Sequence, residues 1–359
     1  MKQFSMNGLR SVAAAATIAA STLTASIAAA EQVIPFLACP LGCGAVQTNT
    51  VLAARMARDG SDILPAAQET PGFMYNIRAM AEENRWKNTV FGTEDTVIQA
   101  AFQGGREELM TFVPQAVPIK FQLLYGEGAV AQGKFFVTFN PDINSVEDLK
   151  GKRISIGLPT QSDWGMAASL FLEHGYGITA ENSDIRFVTP AVMTQELIDG
   201  TTDAALAALV TNGDQTVWWT NDLTSKLHAT GQQIKYLGLS DEAIDTVNEK
   251  FDMTYGRVTV PAGSMPGQTE DFIAGTNRIF AAVHPDFPED VAYKIVMGVH
   301  KHGPELRESG QGFWKFWSEA NMVSGLSEET AHPGAIKAYK ELGLWERTKE
   351  FPPMTYPEN

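Results

Sequence analysis

Short apolar runs alternate with amphipathic stretches along the chain. The first run, Val33 to Ala38, predicts a buried strand, and residues 40–44 follow as a glycine-rich turn. Residues 45–57 place apolar side chains at helical spacing and predict a helix. A strand, a turn and a helix in this order are typical of the unit that opens many α/β ligand-binding domains.

The alternation continues in a second unit after a break at residues 140–142. Apolar runs at 154–157, 185–188 and 204–210 predict strands separated by helices, and further strands at 257–261 and 278–283 return towards the first unit. The pattern predicts an α/β, two-lobed fold of the periplasmic binding protein type II class, with a hinge and a ligand cleft between the lobes. The predicted divisions are 1–30 as signal peptide, 31–137 and 273–359 as lobe 1, and 138–272 as lobe 2.

The N-terminus has the pattern of a secretory signal peptide. Lys2 and Arg10 are followed by an uncharged, alanine-rich stretch that ends at Ala30, and the small residues before Glu31 are typical of a cleavage site. A membrane anchor is the alternative, but the stretch is poor in leucine. We therefore expect cleavage after Ala30 and a soluble, periplasmic protein.

Composition indicates a globular protein and disfavours binding to nucleic acid. Hydrophobic residues make up 44% and charged residues 19% of the 359 residues, which is globular composition. Asp plus Glu number 42 against 27 Lys plus Arg, and the formal net charge of −15 disfavours binding to nucleic acid.

The two cysteines, Cys39 and Cys43, lie in the early part of the exported chain. An oxidising periplasm permits a disulfide between them, and two free buried thiols are the alternative. A lipoprotein cysteine at Cys39 is disfavoured because Glu31 and Pro35 separate it from the apolar run.

Four segments resemble known periplasmic binding proteins. Residues 145–157 and 199–204 are similar to strand entries shared widely by type II binding proteins. Residues 260–271 (Val-Pro-Ala-Gly-Ser-Met-Pro-Gly-Gln-Thr-Glu-Asp) and 332–343 (His-Pro-Gly-Ala-Ile-Lys-Ala-Tyr-Lys-Glu-Leu-Gly) resemble segments of the TAXI family, the solute-binding proteins of one branch of TRAP transporters.

This resemblance implies a receptor that captures a small organic anion, such as an amino acid or a dicarboxylate-like acid, and delivers it to TRAP membrane subunits. Met265 and Ala338 stand where the family usually has tyrosine, and the first loop, 39–44, departs from the family pattern. These departures leave open a substrate other than the glutamate, glutamine or 2-oxoacids typical of relatives.

The candidate site residues lie where strands end. The turns at 42–45 and 159–163 offer backbone N–H groups that can hold a carboxylate, and Asp163 is expected to act as a helix cap. Side chains after other strands add polar or aromatic groups, although packing or capping explains them as well. The candidate ligand-binding residues are Gly42, Gly44, Tyr75, Asn76, Thr93, Gln161, Ser162, Trp164, Asn212 and Gly213.

Enzyme motifs are missing from the sequence, and the six histidines lack metal-ligand spacing, so neither catalysis, a metal nor a cofactor is expected. We expect a monomeric binding protein. Two alternatives remain: an ABC-type binding protein for a sulfonate, nitrate or thiamine-like compound, and an exported enzyme that uses Cys39 or Cys43 as a reactive thiol.

Overall fold

Two β-sheets organise the molecule. The computed structural model describes residues 32–40, 44–85, 87–127, 131–212, 215–220 and 222–357. The strands within these ranges are β1 Gln32–Leu37, β2 Ile63–Gln68, β3 Val90–Glu94, β4 Gln122–Gly126, β5 Ala131–Thr138, β6 Arg153–Ile156, β7 Asp184–Phe187, β8 Ala204–Thr211, β9 Trp218–Thr220, β10 Lys235–Leu237, β11 Gly256–Val260, β12 Phe272–Asn277 and β13 Ile279–Val283.

Helices cover the faces of both sheets. They are α1 Gly44–Arg58, α2 Phe73–Ala79, α3 Asp95–Phe102, α4 Ala168–Leu170, α5 Pro190–Ile198, α6 Asp222–Ala229, α7 Asp241–Phe251, α8 Glu289–Ser309, α9 Glu319–Val323 and α10 Pro333–Glu341. The short α4 continues π-helical turns on both sides, Ser162–Ala167 and Phe171–Gly175. Short 3-10 turns lie at Glu83–Arg85, Glu107–Leu109, Glu147–Leu149, Gly312–Phe316 and Trp345–Glu350.

Sheet 1 has the strand order β2-β1-β3-β13-β4, in which β1, β2 and β3 are parallel and β13 is antiparallel to its neighbours. Sheet 2 has the order β11-β12-β5-β8-β6-β7, with β10 paired to β5 and β9 paired to β8. The strand β8 is buried at all eight positions, which explains its continuous apolar sequence. We call the elements around sheet 1 (32–127 and 279–357) lobe 1 and those around sheet 2 (131–277) lobe 2.

The chain passes between the sheets twice, once between β4 and β5 and once between β12 and β13. The boundaries predicted from sequence, 137/138 and 272/273, fall within β5 and at the start of β12, which both belong to sheet 2. The difference arises because an apolar strand pattern does not indicate at which end of the strand the chain changes sheets.

Local sequence signals fix several helix ends. Thr189 caps α5 by accepting the Val192 N–H, with proline at the first helical position, and Ser240 caps α7 by accepting the Ala243 N–H. The helix α8 runs from Glu289 to Ser309 and contains Pro304 within its length. None of the helices in the described ranges is long and apolar enough to cross a membrane.

The aromatic stretch 313–317 is part of the core of lobe 1. Trp314 is fully buried, and its Nε1 donates to the Thr48 carbonyl oxygen over 2.6 Å. Its ring stacks on Tyr125 at 6.2 Å between centroids. The stretch is therefore a packed element, as expected from its composition, rather than an exposed docking surface.

Candidate ligand-binding site

The lobes meet where β3 runs into α3 and where the loop after β6 runs into the turn beginning at Ser162. Because β3 is buried along its length, its last residues, Thr93 and Glu94, end inside the molecule. Ser162 and Asp163 on lobe 2 are buried as well. We call the buried charged and amide side chains at this place the junction cluster. It consists of Glu94, Asp95, Lys134, Asp163, Asn277 and Arg278.

A buried ion pair lies at the centre of the junction cluster. Lys134 Nζ on β5 is 2.6 Å from Asp163 Oδ1, and the two side chains are 0% and 5% exposed. The same Nζ donates to Asn277 Oδ1 at the end of β12 and to the Gln132 carbonyl oxygen. A buried lysine needs such partners, since an unpaired charge at this depth would be strongly unfavourable.

Glu94 brings a second carboxyl group to the pair from lobe 1. Burial raises the pKa of this carboxyl well above its usual range, and the charge of Asp163 and a hydrogen bond with it raise the pKa further. Lys134 and a hydrogen bond from Ser162 act in the opposite direction and only partly compensate. Burial beside Asp163 therefore favours the protonated form of Glu94.

Asp95 connects the start of α3 to the second passage between the lobes. Its Oδ2 accepts from Arg278 Nε over 3.0 Å, and its backbone N–H donates to the Arg278 carbonyl oxygen over 3.3 Å. Its Oδ1 also accepts the Thr96 N–H over 2.9 Å. Asp95 and Arg278 thus neutralise each other at the point where β12 gives way to β13.

Several buried polar atoms near the charged groups have no hydrogen-bond partner among the residues that the structure describes. Two of them are the Nδ2 of Asn277, whose Oδ1 is taken by Lys134, and the Oγ1 of Thr93. Both side chains are almost fully buried. Since buried polar groups are normally satisfied, these two mark a place where a further molecule can supply the missing partners.

Other contacts join the lobes around the junction cluster. Gln99 Nε2 on α3 donates to Thr254 Oγ1 over 3.0 Å, and the Thr254 N–H donates back to Gln99 Oε1 over 3.0 Å. Lys315 Nζ lies 3.4 Å from the centroid of the Trp219 ring, which is a cation–π contact between lobe 1 and lobe 2. Trp219 therefore packs between the lobes.

Three residues predicted for the site, Thr93, Gln161 and Ser162, lie at this junction and are buried. Gln161 occupies the N-cap position, but its Oε1 accepts the Leu158 N–H over 3.0 Å and does not cap the helix. The prediction that Asp163 is a helix cap is wrong. Its carboxylate lies inside the first turn and pairs with Lys134, because that buried lysine requires a negative partner.

Asn76 is buried and holds two strands of sheet 1 together. Its Nδ2 donates to the Ala38 carbonyl oxygen over 2.7 Å and to the Gly92 carbonyl oxygen over 3.0 Å. The neighbouring Tyr75 is 36% exposed. These contacts give Asn76 a structural role, and a direct role in binding stays a prediction for both residues.

The remaining predicted residues are spread over other places. Gly44 begins α1 against the Phe313 ring, and a Cβ there would lie 2.8 Å from that ring. Trp164 is half-buried and packs beside Gly157. Asn212 Oδ1 accepts the N–H groups of residues 216 and 217 and organises the loop after β8. Gly42 and Gly213 lie outside the described residues, and binding by all five stays a prediction.

Cys39 follows β1, is buried and is disulfide-bonded. The other cysteine of the predicted pair, Cys43, lies outside the described residues, so the pairing itself stays a prediction. Within the described part of the chain, the side chains form no group of three or more His, Cys, Asp or Glu that could hold a metal ion.

A surface groove of about 550 Å³ lies elsewhere on lobe 2. It is lined by residues 233–240 and 267–273 together with Asn144, Glu147 and Tyr176, and it includes none of the predicted site residues. Sequence reasoning also missed Lys134. The signal was present, since a lysine within the otherwise apolar run 134–139 requires a buried partner.

Residues 131–343 match the model of the NMT1-like family. The chain belongs to that family. The matched range includes all of lobe 2, the second passage between the lobes and most of the returning part of lobe 1. Lys134, Asp163, Asn277 and Arg278 of the junction cluster lie inside it, whereas Glu94 and Asp95 lie before it.

Solved structures similar to this NMT1-like chain include several solute-binding proteins. A putative periplasmic sulfonate-binding protein SsuA from Methylobacillus flagellatus is 13% identical, with 91% of this chain and 98% of that chain covered and a TM-score of 0.46. The periplasmic aliphatic sulphonate binding protein SsuA from Escherichia coli is 13% identical, with 89% and 80% covered and a TM-score of 0.38. The periplasmic binding protein BugD is 10% identical, with 89% and 96% covered and a TM-score of 0.47.

The α/β fold class predicted from sequence is confirmed by the two sheets and by the two passages of the chain between them.

Proposed function

We propose that the chain is an extracytoplasmic solute-binding protein that closes its two lobes on a small organic solute and delivers it to membrane transporter subunits. One observation carries this proposal: a buried cluster of charged and polar side chains lies where the lobes meet, and polar atoms there, among them Asn277 Nδ2 and Thr93 Oγ1, have no partner in the described part of the chain. A site between two lobes joined by two short passages is suited to binding by closure.

The proposal does not include catalysis. The chemistry of the junction cluster is that of paired charges and amide groups, which can recognise a solute. A nucleophile activated by a base, which an enzyme of the thiol class would need, is not part of the cluster, and Cys39 is disulfide-bonded.

The membrane partner we propose is the permease of a TAXI-type TRAP transporter, and the localisation we propose is the periplasm. This part is supported by the two segments at 260–271 and 332–343 and by the signal-peptide pattern of the first 30 residues. An ABC-type binding protein is the alternative, because membership of the NMT1-like family does not decide between the two kinds of transporter. The identity of the neighbouring gene distinguishes the two transporter types. A neighbouring ATPase gene favours the ABC type, and a neighbouring TRAP permease gene favours the proposal.

A thermal-shift screen tests solute binding. The probes are L-glutamate, succinate, taurine, putrescine and L-arginine, and a solute at 100 times its Kd stabilises the protein by about 2.7 kcal/mol. A positive probe is then examined by small-angle X-ray scattering, where closure is expected to reduce the radius of gyration. If no probe raises the Tm and none changes the radius, the binding proposal is refuted for these solute classes.

A further inference from the structure

We infer that the junction cluster selects a solute carrying a positively charged amine together with a neutral hydrogen-bond acceptor. This inference rests on the proposed function. It replaces the small organic anion expected from the family resemblance with a solute of the opposite charge.

The charge balance of the cluster disfavours an anion. Lys134 is paired with Asp163 at 2.6 Å, and Arg278 is paired with Asp95 at 3.0 Å. Each cation of the cluster is thus already neutralised by a carboxylate, so an incoming carboxylate or sulfonate would bury a charge without compensation. The remaining ionisable group, Glu94, can only add negative charge.

The start of the helix in lobe 2, where an anion was expected, already holds one. Asp163 lies in the first turn beginning at Ser162, so its own carboxylate occupies the electrostatically positive end of this helix. A solute anion would have to share that place with the Asp163 carboxylate, and two like charges close together in a buried site repel strongly.

An ammonium group fits the same surroundings. It donates to the Glu94 carboxyl oxygens, and the unpartnered Oγ1 of Thr93 beside Glu94 is a further acceptor. The unpartnered Nδ2 of Asn277 is a donor and therefore requires an acceptor on the solute, such as an amide or hydroxyl oxygen. The Asn277 amide thus requires an accepting group on the solute, while the Glu94 carboxyl and the Thr93 hydroxyl can both accept from its ammonium end.

Proton release follows from the groups that face Glu94. These are Asp163, Lys134 and Ser162 from lobe 2, with the Tyr255 ring 5.9 Å from Lys134 Nζ. In the empty site burial and the neighbouring Asp163 raise the pKa of this carboxyl and favour its protonated form. When a cation binds, the carboxyl ionises to pair with it, the proton passes to the buffer and the ammonium keeps its own protons. The net result is close to one proton released for each cation bound.

A matched set of probes tests the charge selection. We would use 5-aminopentanamide as the cation, glutaramide as the neutral analogue and glutaramate as the anion, which share one amide end and a similar length. The cation is expected to bind at least about tenfold more tightly than either analogue, since a charged hydrogen bond is lost in both. If none of these three compounds binds, the wider thermal-shift screen decides through the charge of the probe that binds. Binding of a dicarboxylate or a sulfonate there overturns the inference.

Isothermal titration calorimetry at pH 7 in phosphate and in Tris tests the proton release. The difference in apparent enthalpy between the buffers is expected to correspond to about one proton released in the wild type. Glu94→Gln, which has the shape of the protonated carboxyl, is expected to fold normally, to bind the cation at least about tenfold more weakly and to release no proton. Glu249→Gln, on the exposed face of α7, is the matched control and is expected to keep both properties.

The wild-type measurement needs no variant, so the inference can be judged even if Glu94→Gln fails to fold. Binding of an anion with no proton release would overturn the inference and leave the solute-binding function intact. Failure of every probe, of either charge, would instead argue against the solute-binding function itself.

Discussion

The ion pair between Lys134 and Asp163 makes a quantitative prediction about stability. Both side chains are buried, and their charged atoms are 2.6 Å apart. Lys134→Met leaves the Asp163 carboxylate without its cation and next to Glu94. Asp163→Leu removes the carboxylate paired with Lys134 and leaves its ammonium with the Asn277 and Gln132 oxygens and the nearby Glu94 carboxyl.

Removing one partner of such a buried pair costs about 3–5 kcal/mol, because the other charge remains buried and uncompensated. An unfolding entropy of about 2.1 cal/mol/K per residue gives about 0.7 kcal/mol/K for a chain of this size. Each single variant is therefore expected to lower the Tm by about 4–7 °C. The double variant removes both charges together and is expected to lose much less than the sum of the two single losses.

Urea denaturation of the wild type, both single variants and the double variant gives the coupling energy. The matched control is the pair Lys349–Glu346, which has the same separation of 2.6 Å but side chains that are 77% and 78% exposed. The equivalent cycle on this surface pair is expected to show no measurable coupling, because water screens both charges. If the Lys134–Asp163 cycle were as small as the control, the buried pair would not hold the junction together.

Three further predictions follow from other contacts. Asn76→Ala is expected to lower the free energy of unfolding by about 1–3 kcal/mol, since two strand-end carbonyls lose their donor, whereas Tyr75→Phe, at the surface, leaves it unchanged in urea denaturation. Gly72→Ala places a methyl group 2.3 Å from a carbonyl oxygen of the other lobe, so small-angle scattering should show a larger radius of gyration; Gly60→Ala, also at positive φ but with open space around it, should not change the radius. Burial raises the pKa of the Glu127 carboxyl to about 8 in the folded protein, above its pKa of 4.5 in the unfolded chain. The protonated carboxyl therefore makes its full contribution to the free energy of unfolding below about pH 4.5, and this contribution is lost as the pH rises through 8. Glu127→Gln should therefore become more stable than the wild type in urea at pH 8.5 and not at pH 4.5.

The sequence predicts the strands of the apolar core well. The runs that became β1, β6 and β8 are continuous and apolar, and their positions agree with the structure within about two residues. β10 is not predicted, because a three-residue strand carries too little periodicity. α7 is not predicted either, although Ile244, Val247 and Phe251 lie at helical spacing after the N-cap residue Ser240.

The candidate site could be predicted only in part. Gln161 and Ser162 were found because a strand-to-helix turn is a recognisable local pattern. For Glu94 the sequence allows either an acid that receives an amino group or a solvated turn, since nothing local indicates that the opposite lobe covers it. The partner of Lys134 was equally hidden, because Asp163 is 29 positions away and the pair forms only when β5 and the later helix pack together.

Sheet 1 can be completed only after most of the chain has been synthesised. The strands β3 and β4 are not direct neighbours but are joined through β13, which comes about 150 residues after β4 in the chain. Lobe 2, in contrast, takes all its strands from one uninterrupted stretch. Because synthesis starts at the N-terminus, β1, β2 and β3 can pair with one another early, whereas β3 and β4 each keep an unpaired edge until β13 is made. We therefore expect a fragment of residues 32–127 to aggregate more readily than a fragment of residues 131–277.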